Sequence, residues 1–242
     1  MVRIMAVFVD GLIYLKIVSK KMPWQKTSYK KIDHLLKPGD VIAFSGIGIQ
    51  SDVVRRLTSS IVSHVGIVIS SKKFDSNNCE DSNYNYLIEA TNMDGFTGVI
   101  VNKLCERINS YAGEIWWLPL SDSSRAKANI GKLSKFLNEQ NGKEYDCVQA
   151  IMSAIDLLDH IPILDKLTRN EECYAKFFCS ELVAAGLKEA GVIQQINASE
   201  VTPIDVCRFS IFAENYFQLK GEKKEFDGYN QFCPEGFGIC DF

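Results

Sequence analysis

The chain has 242 residues, of which 46% are hydrophobic, with 16 Gly and 6 Pro. That is enough apolar material for one core and too little Gly and Pro for a fibrous or low-complexity chain. The formal net charge is −3, so no overall basic field points to nucleic acid. The Lys20-Lys21 and Lys30-Lys31 pairs read as solvated surface.

The eight cysteines are Cys79, Cys105, Cys147, Cys173, Cys179, Cys207, Cys233 and Cys240. No two have C-x-x-C spacing, and with only three His they make a poor set for structural zinc. The sequence carries no signal for a metal or another cofactor. A chain this long does not need a disulfide scaffold, so scattered thiols suit a reducing, cytoplasmic compartment.

In chain order, the first feature is the mostly apolar run from Ile4 to Val18. It is shorter than the roughly 20 residues a spanning helix needs, and Asp10 and Lys16 interrupt it. It lacks a small-x-small cleavage pattern. Residues 1–25 are read as an N-terminal apolar helix, either packed on the domain or lying on a membrane surface through residues 4–18. A domain over 26–210 follows, then a C-terminal extension over 211–242.

Residues 26–36 suit a short polar helix that stops at Lys37-Pro38-Gly39, a turn signal. Val41 to Phe44 is a short strand, and Ile49 to Ser59 is a helix. Ile61 to Ile69 carries the strongest strand pattern, apolar on both faces and hence central. His64 is its one ionisable side chain. Alone it reads as readily as a core histidine with a backbone partner. The polar stretch from Ser71 to Asn85 is a surface loop. It leads into the strand Tyr86 to Thr91, where Glu89 interrupts an apolar run as His64 does. An antiparallel pairing of these two strands brings Glu89 near His64. Alone, Glu89 reads equally as an exposed residue on a half-solvated face.

Gly98 to Asn102 and Gly113 to Leu118 are further strands. Ser121 to Gln140 reads as one helix, with Ile130, Leu133 and Leu137 inward. Tyr145 and Asp146 open a second helical stretch through about Leu158. Residues 178–191 then form a helix that begins at or just after Cys179 and ends at Gly191. Its N-terminal N–H groups and macrodipole favour a thiolate on Cys179. Val201 to Asp205 turns into a new helix with Pro203 early in it. The total is an α+β chain with an antiparallel sheet of about five strands packed against helices.

Cysteine catalysis needs a thiolate, an acid/base and oxyanion donors. Cys179, His64 and Glu89 supply nucleophile, acid/base and orienting carboxylate. Several stretches resemble the circularly permuted NlpC-type papain-like proteins, in particular the YiiX/YaeF-like group. They are Lys37-Pro38-Gly39-Asp40-Val41-Ile42, Ser51 to Thr58, Ser63-His64-Val65-Gly66-Ile67-Val68, Ile88-Glu89-Ala90, Gly98-Val99, Gly142-x-x-Tyr145-Asp146 and Cys179-Ser180-Glu181-Leu182-Val183. The resemblance spans about residues 37–207, and its order of His, Glu, Cys is that of the permuted branch. It implies a permuted papain-like fold with a catalytic Cys at a helix N-terminus. It also implies Cys179 as nucleophile, His64 as general acid/base, Glu89 as third polar residue and Tyr145 by the active site as an oxyanion donor. Many relatives carry Tyr just before the Cys, where this chain has Phe178, with Tyr174 four residues earlier.

The expected function is a cysteine hydrolase of the peptidase or amidase type. It would cut an amide in a peptide or N-acyl amino acid through a thioester on Cys179. The alternatives are acyl transfer or hydrolysis on lipids, of the lecithin:retinol acyltransferase type, and a catalytically silent binding module. The substrate is thus a small peptide, an acyl-amide or a lipid.

Overall fold

The computed structural model describes residues 23–69, 85–93, 95–144 and 178–239, together with the backbone of 2–9 and 12–19. The helical stretch expected from Tyr145, and all but the last residue of the 71–85 loop, lie outside the described residues.

The N-terminal run is not a helix. Val2–Val9 (β1) and Leu12–Ser19 (β2) pair antiparallel, from Val9 opposite Leu12 to Val2 opposite Ser19. A run that is apolar at nearly every position carries no clear 3.6-residue period. The Asp10-Gly11 dipeptide between the two halves is a hairpin signal.

The main sheet comprises Trp24–Lys26 (β3), Val41–Gly46 (β4), His64–Ile69 (β5), Tyr86–Met93 (β6), Phe96–Lys103 (β7), Gly113–Leu118 (β8) and Tyr216–Lys220 (β9). Their order across the sheet is β3-β9-β8-β4-β5-β6-β7. All pairs are antiparallel except β3 with β9, which is parallel. The expectation of about five antiparallel strands is therefore corrected to a mixed sheet of seven. The two additions, β3 and β9, pair across almost the whole chain, which local sequence pattern does not register. The sheet also runs past the boundary drawn at residue 210, because β9 sits inside it.

The helices are Tyr29–Ile32 (α1), Ile49–Thr58 (α2), Leu104–Ser110 (α3), Asp122–Lys127 (α4), Ile130–Gln140 (α5), Phe178–Glu189 (α6) and Pro203–Arg208 (α7). The helix expected over 121–140 is two. Asn129 breaks it, because its side chain caps α5 by accepting from Lys132 N at 3.0 Å and its N–H bonds Ala190 O. At α7, Thr202 and Asp205 form a reciprocal capping box with Pro203 at the start.

Strand parity sorts the core into two layers. Val41, Ala43, Val65, Ile67, Ile88 and Trp116 face the layer of α5 and α6, where Leu182, Val183 and Leu187 are buried. Ile42, Phe44, Val68, Leu87, Ile115 and Trp117 face the layer of Leu104 and Ile108 on α3. Gly186 lets α6 lie against Leu133 and Leu137 of α5, since a Cβ there would come 3.3 Å from both side chains. Gly191 ends the helix at φ +75°.

Asp40 is fully buried at the start of β4. It accepts from Lys37 N, Leu120 N and Trp117 Nε1 at 2.9–3.0 Å and pairs with Arg125. Burial raises its pKa, and Arg125 works against that rise. The Pro38-Gly39-Asp40 turn thus ties β4 to β8 and to α4.

Candidate active site

His64 opens β5, opposite Phe44 of β4. Glu89 lies in the middle of β6, fully buried. His64 Nε2 stands 2.7 Å from Glu89 Oε2. Glu89 is further held by Asn102 Nδ2 at 2.9 Å, Arg107 Nε at 2.7 Å on Oε1 and an Arg107 terminal nitrogen at 3.0 Å on Oε2. A carboxylate with two oxygens so engaged is a fixed acceptor for the imidazole.

The ladder between β5 and β6 covers only Ile67–Ile69 against Tyr86–Ile88. Val68 N–H bonds Asp40 O, just before β4. Alternation then turns the Val65 and Ile67 N–H groups towards β6. At Val65 the ladder has ended, and its N–H helps to lower the pKa of Cys179. α6 packs against both of these strands.

Cys179 is the second residue of α6 and is partly exposed. Burial disfavours its thiolate. The His64 imidazolium and the N–H groups of Val65 and Ser180 outweigh this and lower its pKa. Burial likewise disfavours the imidazolium, but Cys179 and Glu89 raise His64 to about 9. For Glu89, burial is overcome first by His64 and then by Arg107, which lower it to about 2. The three groups thus favour thiolate, imidazolium and carboxylate together. Because Nε2 is taken by Glu89, Nδ1 is the ring nitrogen left for the sulfur.

Of the residues singled out in the sequence, His64, Glu89 and Cys179 come together. Tyr145 and Tyr174 lie outside the described residues. Sequence reasoning missed Arg107, Asn102 and Tyr111. Arg107 lies on α3, a helix too short to show a period. Its guanidinium sits 4.9 Å from the Tyr111 ring and 5.4 Å from that of Phe44. Phe44 in turn lies 5.3 Å from the His64 ring. Burial above all raises the Tyr111 phenol to about 12, so it remains a neutral donor. Arg107, and to a lesser degree the side chain of Ser63 next to His64, lower the pKa of Tyr111. The one available signal was Asn102, already placed on a strand in the sequence; the structure sets that strand beside the one that carries Glu89.

Among the described residues, no group of three or more His, Cys, Asp or Glu is placed to hold a metal ion, and no helix is long and apolar enough to cross a membrane. No family model matches the chain, and no curated protein matches it. Among solved structures it is similar to the crystal structure of metalloprotein yiiX from Escherichia coli O157:H7, DUF1105. The identity is 19% and the TM-score 0.38, over 64% of this chain and 66% of that one. The chain therefore spans just under two thirds of that protein's length. A likeness this distant carries neither site nor activity from one protein to the other.

Proposed function

We propose that the protein is a cysteine-dependent hydrolase of the permuted NlpC-type papain-like kind, cleaving an amide bond in a peptide or N-acyl amino acid. The observation that carries this reading is the coupled set Cys179, His64 and Glu89, with Glu89 2.7 Å from His64 Nε2 and His64 charge-coupled to the Cys179 sulfur.

The thiolate of Cys179 attacks the amide carbonyl, and N–H groups at the first turn of α6 receive the developing oxyanion. The His64 imidazolium gives its proton to the leaving nitrogen as the C–N bond breaks, which releases the amine and leaves a thioester. Neutral His64 then takes a proton from water as it attacks the thioester. Collapse expels the Cys179 thiolate and the carboxylic acid product, and restores the imidazolium. Glu89, fixed by Arg107 and Asn102, holds the ring's orientation throughout.

The test is a panel of N-acyl amino acids and short peptides, quenched in acid and read by intact mass. An acyl adduct on Cys179 and free amine in solution are expected, both absent from Cys179→Ala. Turnover that survives Cys179→Ala sinks the reading. Acyl transfer from phospholipid vesicles without any amide cleavage would move the substrate to lipids.

A further inference from the structure

β9 carries an irregularity with a chemical outcome. Trp116 pairs with Gln218, but the next pair is Ile115 with Lys220, so Leu219 is an extra residue on β9. Without that bulge, Lys220 would share the face of Gln218 and Tyr216, towards α6. Paired residues in an antiparallel ladder share a face, and Ile115 faces the α3 layer. The bulge therefore turns Lys220 over to α3.

There its ammonium meets the C-terminal end of that helix. Lys220 Nζ donates to Ile108 O at 2.6 Å, Asn109 O at 2.9 Å and Tyr111 O at 2.7 Å. These three acceptors saturate the three donors of an ammonium, at the helix end where a cation is favoured. They adjoin or include the two residues that shape the surroundings of Glu89 and His64. Arg107 lies one residue before Ile108, and Tyr111 is itself an acceptor. α3 is only Leu104–Ser110, so it has little stiffness of its own to hold that end.

We propose that Lys220 is a positioning residue for the candidate site: it fixes the C-terminal end of α3 and so the Arg107 clamp on Glu89. This rests on the reading of Cys179, His64 and Glu89 as a catalytic set. It makes the C-terminal strand a working part of that set rather than an appendage.

The experiment compares Cys179 alkylation by iodoacetamide from pH 5 to 9 in the wild type, Lys220→Met and Lys220→Arg, with exposed Cys233 as internal reference. At pH 6, Lys220→Met should slow Cys179 roughly three- to tenfold and move its profile to higher pH, with Cys233 unchanged. Lys220→Arg keeps the charge, but its planar fork cannot meet three carbonyls at once. It should fall between the two, with at least about a twofold loss. If Lys220→Met does not fold, Lys220→Arg decides alone. A folded variant with the wild-type Cys179 profile overturns the proposal. A wild type in which Cys179 is no faster than Cys233 at pH 6 overturns instead the reading of the site itself.

Discussion

His64 Nε2 and Glu89 Oε2 meet at 2.7 Å although the ladder joining their strands has already ended, at Ile67 and Ile88. Side chains, not backbone pairing, close the sheet at this end. Beyond that point Arg107 and Asn102 hold the Glu89 carboxylate in place beside His64.

The first expectation concerns the thiol itself. At pH 6.5 iodoacetamide should modify Cys179 about tenfold faster than the exposed Cys233, because only Cys179 has an imidazolium beside it. His64→Ala should remove that advantage. Peptide mapping of each labelled cysteine checks both. Equal rates in the wild type would show that the sulfur is not activated.

Alkylation and turnover should part company at alkaline pH. Alkylation needs only the thiolate and should stay on its plateau as the pH rises. Amide cleavage also needs the His64 proton for the leaving nitrogen. With His64 raised to about 9, kcat/KM should therefore fall as the pH climbs through that value. The acid limb should follow Cys179 below the ordinary thiol range. The two profiles, measured side by side, test the assignment of proton and nucleophile.

Glu89 should make the protein acid-labile. Its carboxyl falls from an ordinary value of 4.5 to about 2 in the folded chain. The stabilisation is therefore fully present above the unfolded value and is lost as the pH falls towards 2. The contribution is about 3 kcal/mol. Glu89→Gln should lower stability at pH 7 by about 3–5 kcal/mol, since Arg107 keeps a charge without its counter-ion. The gap between wild type and variant should narrow steadily below pH 4.5. Adding Arg107→Met should recover part of the loss. Urea melts across this range read all three effects.

Asp40 carries a different load. Asp40→Ala would strip the acceptor from Lys37 N, Leu120 N, Trp117 Nε1 and Arg125 together. A loss of about 3–5 kcal/mol is expected, with an early change in Trp117 fluorescence on heating. Cys179 alkylation in the remaining folded protein should be unchanged, because Asp40 supports the frame and does not touch the candidate site.

The elements nearest the site were the most legible in sequence. β5 and β6 are short apolar runs, each marked by one ionisable residue, and α6 has a Gly stop at Gly191. The order His64, Glu89, Cys179 needed no coordinates. What failed to show has a common cause. Arg107 reaches Glu89 from a seven-residue helix, and Lys220 reaches α3 only because Leu219 shifts the register. A single extra residue reverses every inference from alternation beyond it. The N-terminal run misled for another reason. Side chains apolar on all sides satisfy helix and strand templates equally, and only Asp10-Gly11 separates them.

β9 lies between β3 and β8, and the side-chain bond from Trp24 to Gln218 spans 194 residues of sequence. The sheet therefore cannot be finished until β9 has been made. Until then the outer side of β8 is an open template, and β3 has nothing to pair with. Such distant pairings are slow to form, and α3 awaits its lysine for just as long. On this ordering, the surroundings of Glu89 and His64 are complete only once β9 has joined the sheet, long after β3 has been made.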